Sequence, residues 1–150
     1  MGRWGIGLVA GLLAIAGLGG PAAAVGPLRF AFLDIGQGDA TLVSLPTGEH
    51  VLVDGGDNGQ EKRLVGYLRA RGVKALDMVI MTHPHADHIG GLDLVWTTFP
   101  IRLVLDAGSS TPSRTYNRAL GAIAAKGIPL RLGRPGLVKQ YGPVKLEVLA

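Results

Sequence analysis

The apolar run Asp77-Met78-Val79-Ile80-Met81-Thr82 opens directly onto His83-Pro84-His85-Ala86-Asp87-His88, and this junction constrains the chain more than any other stretch. The first half is short, bulky and barely alternating, which is the pattern of a buried strand. Three of the four histidines and one carboxylate then fall within six residues. Imidazole nitrogens and a carboxylate oxygen form a donor set that Zn²⁺ prefers and that Mn²⁺ or Fe can use. A strand end is a common seat for such chemistry, because a rigid element aims the loop that follows it. The competing reading is a polar loop of solvated histidines. A lone histidine fits that reading; three with an aspartate at this spacing do not.

The spacing divides the ligands. His83 and His85 are two apart, so on an extended segment they share a face and can grip one ion. Pro84 stiffens the step between them. Asp87 and His88 follow once the chain begins to turn, which suits a second ion. Gly90 and Gly91 permit tight backbone geometry beside the site.

Thr82-His83-Pro84-His85-Ala86-Asp87-His88-Ile89-Gly90-Gly91 resembles the HxHxDH signature of the metallo-β-lactamase fold. Two upstream segments resemble the opening strands of one branch of that family: Phe32-Leu33-Asp34-Ile35-Gly36-Gln37-Gly38-Asp39-Ala40 and Val51-Leu52-Val53-Asp54-Gly55-Gly56. That branch includes the hydrolase domain of ComEC-like DNA-uptake proteins. The resemblance runs from about residue 28 to residue 150. It implies an α/β chain of the αβ/βα sandwich type. It also implies that His83 and His85 serve one metal and Asp87 and His88 the other, with Zn²⁺ as the expected ion, one or two of them, and Mn²⁺ as the alternative. Asp87 would further help to orient the attacking water, which makes it the expected catalytic residue.

Members of the family usually complete the site with an aspartate and a histidine from later strands. No histidine follows His88 here, and Asp106 and Glu147 match no family ligand position. Residues 25–150 are therefore expected to form the first half of such a domain. The resemblance implies a metal-dependent hydrolase, with phosphodiester bonds of nucleic acid as the leading substrate. A lactam, lactone or thioester hydrolase acting on a small molecule is the alternative within the superfamily. A non-catalytic metal-binding fragment is the reading that the short ligand count supports.

Composition bears on partners and compartment. The net charge of +4 and pI near 9.8 favour anionic partners, although the arginines are scattered rather than clustered. The absence of cysteine excludes disulfides and thiolate ligands. Residues 1–24 carry an early arginine, an uncharged apolar stretch, a Gly-Gly-Pro break and Ala22-Ala23-Ala24, the pattern of a cleaved export signal. The expected product is extracytoplasmic and has no stable membrane span; an uncleaved anchor is the alternative.

Strands are expected at residues 28–35, 40–45, 50–54, 77–82, 101–105, 130–132 and 144–149. Helices are expected at residues 61–71 and 113–126, with a short one at 91–96. Asp54 ends an apolar strand before two glycines. It suits either an acceptor that orients a metal-loop histidine or a turn aspartate bonded to backbone N–H groups. Asp34 and Asp39 read as turn-shaping residues, and His50 as solvent-facing. Gly36 and Gly38 make a GxG with no helix behind it, a poor nucleotide loop.

Overall fold

The computed structural model describes residues 26–108 and 113–149; the expected export signal at residues 1–24 lies outside them. Six strands form one sheet in strictly sequential order: β1 (Arg29–Phe32), β2 (Thr41–Ser44), β3 (His50–Val53), β4 (Met78–Met81), β5 (Val104–Asp106) and β6 (Leu130–Leu132). The first two pairings are antiparallel, and the last three are parallel.

Each parallel step needs a crossover, and helices supply it. α1 (Glu61–Ala70) joins β3 to β4. Between β4 and β5 the chain makes α2 (Ala86–Ile89), a 3₁₀ turn (Gly90–Leu92) and α3 (Val95–Thr98). α4 (Arg114–Ala125) joins β5 to β6. All three crossovers step the same way across the sheet, so a common hand puts every helix on one face. Leu64 and Leu68 of α1, Ile89, Leu92, Trp96 and Ile123 of α4 pack there against Leu42, Leu52, Val79 and Val104.

Because side chains alternate along a strand, the intervening residues form a second core on the other face. Val51, Met78 and Leu105 meet Tyr141 from a hairpin of β7 (Val138–Tyr141) and β8 (Val144–Glu147). The hairpin covers only part of this face. On the edge strand β1, Phe30 and Phe32 point the same way and stay 59% and 82% exposed. This mixed arrangement, with helices on one face of the sheet and a two-stranded hairpin against the other, is the α/β architecture that the sequence leads one to expect.

Several local expectations need correction. The strand expected at 28–35 is confined to Arg29–Phe32, and its next three residues bend into the Gly36–Gly38 turn. The helix expected at 91–96 is instead three short pieces, beginning at Ala86. His85 takes an extended N-cap conformation, and its carbonyl accepts from the N–H groups of His88 and Ile89, so helical turning starts inside the histidine segment. β7 is additional. His50 is half-buried rather than fully solvent-facing: it stands opposite Ser44 in the β2–β3 ladder, and its Nδ1 lies 3.1 Å from the Ser44 hydroxyl. Burial pushes its imidazole pKa down against the opposing pull of Glu49.

Close backbone packing sets where glycine is required. A Cβ on Gly91 would lie 2.1 Å from the Gly55 carbonyl oxygen. Gly121, on the exposed side of α4, has nothing within 4 Å of a built Cβ. Gly91→Ala is expected to destabilise the chain by about 1–3 kcal/mol through overpacking. Gly121→Ala should instead stabilise it by about 0.5–1 kcal/mol through helix propensity. Urea denaturation of the two variants checks both signs.

Candidate metal centre

Parallel pairing brings the carboxyl ends of β3, β4 and β5 to one edge of the sheet, where ligand sites of open α/β sheets lie. Asp54 follows β3, Thr82 and His83 follow β4, and Asp106 ends β5. His50 begins β3 and so sits at the opposite edge.

Asp54 organises this edge. It is 3% exposed and is the one non-glycine residue with positive φ among the described residues, at 57°. Aspartate tolerates this left-handed conformation better than most side chains. The conformation turns the carboxylate back toward β4. There Oδ1 accepts from the Thr82 N–H at 2.9 Å, and Oδ2 accepts from the Thr82 hydroxyl at 2.5 Å and lies 2.9 Å from His88 Nδ1. Backbone bonds close the same loop: Asp54 N–H donates to the Ile80 carbonyl, and Gly55 N–H to that of His88.

The histidine segment folds over this base. The ring of His83 lies 3.8 Å from that of His88 and 4.7 Å from that of His85, centroid to centroid. The imidazoles expected to bind different ions are therefore neighbours in one cluster. Asp54, His83 and His88 each place a potential ligand atom within 4.8 Å of the others'. The two oxygens of Asp54 already accept three hydrogen bonds from a buried position, so its geometry suits holding His88 rather than binding an ion. His83 and His88 are half-buried and His85 is exposed, leaving the cluster open to solvent on one side. Asp87 lies half-buried in the first turn of α2, with its carbonyl accepting from the Asp39 N–H at 3.2 Å.

The donor chemistry fits a divalent cation. Two imidazoles have Nδ1 within hydrogen-bond distance of a protein oxygen, Asp54 Oδ2 at 2.9 Å for His88 and the Thr82 hydroxyl at 3.0 Å for His83. Such outer bonds are what metal-binding histidines characteristically make, with the other ring nitrogen left for the ion.

The remaining carboxylates divide clearly. Asp39 is largely exposed, and its Oδ2 stands 3.8 Å from His88 Nε2. Its backbone takes part too, with the carbonyl accepting from Gly56 N–H. Asp34 pairs with Arg63 at 2.8 Å. Asp106 is buried and accepts from the Gly108 N–H and the Tyr116 hydroxyl, while burial followed by that bond pushes the Tyr116 phenol up to about 12. Glu147 pairs with Lys145 on β8. Neither Asp106 nor Glu147 joins the imidazole cluster.

Sequence reasoning missed the role of Thr82 and the contact that the Gly36–Asp39 turn makes with the histidine segment. The turn leans on the histidine segment. At Gly38, φ is 91° and a Cβ would fall 1.6 Å from the Asp87 carbonyl oxygen. The signal for Thr82 was a hydroxyl directly before the first histidine. The signal for the turn was a second glycine where one would serve an ordinary turn. α4 also touches the loop: the N-cap Ser113 hydroxyl donates to the Pro84 carbonyl at 3.0 Å.

A family model described as the metallo-beta-lactamase superfamily matches residues 33–146. The chain is 29% identical over 136 residues to ComE operon protein 3 of Bacillus subtilis (strain 168), covering 79% of this chain and 17% of that one. It is 26% identical over 117 residues to a UPF0173 metal-dependent hydrolase of Cupriavidus metallidurans, covering 78% of this chain and 38% of the relative. Among solved structures it resembles MEM-A1, a subclass B3 metallo-beta-lactamase from a soil metagenome library, with a TM-score of 0.52 at 20% identity, over 82% of this chain and 49% of that one. The flavodiiron protein of Giardia intestinalis gives a TM-score of 0.52 at 10% identity, over 74% of this chain and 26% of the other. These structural likenesses speak to fold alone. The chain spans less than half the length of each of these proteins.

Asp54→Asn tests the base of the site. The amide retains an oxygen but turns an NH₂ toward donors. Expected are a loss of about 1–3 kcal/mol in urea denaturation and Zn²⁺ binding weakened about 10–100-fold in calorimetric titration. Unchanged zinc affinity would show that Asp54 serves the turn alone.

Proposed function

The chain belongs to the metallo-beta-lactamase superfamily, and from that premise we propose that it provides the metal-holding edge of a hydrolase that cleaves phosphodiester bonds in nucleic acid. The observation that carries the reading is the cluster of three imidazoles at the end of β4, two of them tied by Nδ1 to protein oxygens. A divalent cation, Zn²⁺ or Mn²⁺, supplies an activated water and polarises the scissile group when bound.

The chain's own residues hold and orient. His83, His85 and His88 offer ring nitrogens, Asp87 a carboxylate from the first turn of α2, and Asp54 keeps His88 in place. Asp87 is the residue we assign to orienting the attacking water. Holding these groups before substrate arrives is the protein's contribution, because a fixed geometry needs no reorganisation during the reaction.

An anionic substrate is supported by charge. The whole chain carries +4. Three arginines lie on elements around the histidine edge: Arg63 on α1, and Arg114 and Arg118 on α4, the helix whose N-cap touches Pro84. Arg118 is anchored by Asp93 and Asn58, each at 2.6 Å. Fixed guanidinium groups suit phosphate recognition.

Zn²⁺ titration followed by hydrolysis of single-stranded DNA and of a bis-aryl phosphodiester tests the proposal. His85→Ala and Asp87→Ala are each expected to weaken zinc binding about tenfold or more. The phosphodiester should be cleaved slowly, in proportion to bound metal, and less by Asp87→Ala. Turnover of a lactam, lactone or thioester in place of the phosphodiester would move the chain to the alternative substrate class. Metal-dependent turnover insensitive to Asp87→Ala would remove the assigned role of that residue.

We further propose that residues 1–24 direct export and are then cleaved, on the strength of their charge and small-residue pattern. Among the described residues no helix is long and apolar enough to cross a membrane. Mass spectrometry of extracytoplasmic material should find a chain beginning near Val25. An intact N-terminus in the membrane fraction would favour an anchor.

A further inference from the structure

The geometry points to Thr82 as a positioning residue: its hydroxyl relays the acceptor strength of Asp54 to His83, so that one carboxylate sets the tautomer of two metal-facing imidazoles. A threonine hydroxyl has one proton and two acceptor lone pairs. Asp54 Oδ2 stands 2.5 Å from Thr82 Oγ1 and takes that proton. Oγ1 can then only accept in its second contact, with His83 Nδ1 at 3.0 Å. His83 must therefore carry its hydrogen on Nδ1. His88 reaches the same tautomer directly, with Nδ1 2.9 Å from the same carboxylate oxygen. In both rings Nε2 then keeps its lone pair, and that of His88 stands 3.8 Å from Asp39 Oδ2.

The relay has a structural reason. β3 and β4 are parallel neighbours, and Val53 pairs with Ile80, so Asp54 comes level with Met81, one residue before Thr82. Asp54 spans that gap through the Thr82 N–H and hydroxyl together. Thr82 is thereby held at two atoms, and its rotamer is not free to swing away from His83. A serine can make the same contacts. A valine fills the same volume but offers neither a donor nor an acceptor, and it leaves the N–H of His83 without its partner.

The relay rests on the metal-hydrolase reading only for its bearing on turnover. Its direct readout is the ring tautomer in the metal-free chain. Proton–nitrogen NMR in weakly alkaline solution should show His83 and His88 both protonated on Nδ1. Thr82→Val should shift His83 toward the Nε2–H form while leaving His88 as it was, and Thr82→Ser should preserve both. Zn²⁺ affinity, measured by competition with a chromogenic chelator, should fall about 10–100-fold in Thr82→Val and stay within about threefold of wild type in Thr82→Ser. Finding Nε2–H on His83 in the unsubstituted chain would overturn the relay outright. So would equal losses of zinc affinity in the valine and serine variants, which would mark Thr82 as a packing residue. Absence of phosphodiester cleavage alone would count against the hydrolase reading and leave the tautomer result standing.

Discussion

A buried carboxylate in a left-handed backbone holds the candidate site together. In an extended conformation the Asp54 side chain would project from a face of the sheet, as strand side chains do. Turning the backbone at this residue aims both oxygens sideways, at Thr82 and His88. Left-handed backbone strains most residues, and a buried carboxylate demands partners. Here the three hydrogen bonds answer the second demand and compensate the first. The two glycines that follow then let the chain turn beneath the 3₁₀ segment without a side chain in the way.

The histidine loop is consequently gripped from three sides. β4 delivers it, the Asp54–Gly56 loop lies under it, and the Gly36–Asp39 turn presses on the Asp87 carbonyl. α4 adds a fourth contact through Ser113 and Pro84. A six-residue loop rich in polar groups would ordinarily wander. With its backbone pinned at Asp87, His88 and Pro84, it presents imidazoles in a fixed cluster.

The metal-binding character was legible because its donors are contiguous: residue type and a spacing of two suffice when the ligands sit together at the end of one strand. The helices at 61–71 and 113–126 were legible for a similar reason, since apolar periodicity and flanking glycines are local signals. What stayed hidden was non-local. His88 and Asp54 are 34 positions apart, and only the parallel pairing of β3 with β4 makes them neighbours. Thr82 read as the last residue of an apolar run because nothing beside it announces a carboxylate across the sheet. β7 escaped because Val138-Lys139-Gln140 is exposed and weakly patterned, and becomes a strand through its partner β8. His50 is only partly exposed because, beside the turn that suggested solvent, the opposite strand also covers it.

The sequential strand order has an entropic consequence. Every strand in the main sheet pairs only with its predecessor and successor along the chain. The cost of bringing two points of a flexible chain together rises only as the logarithm of the intervening length. No pairing here asks distant ends to meet before nearer contacts exist. The bond that joins Asp54 to Thr82 spans 28 residues, a single crossover through α1. The same closed loop holds β3 in register with β4 and the carboxylate beside the histidines. The pairing that extends the sheet from β3 to β4 is thus the same one that brings the carboxylate to the histidine edge.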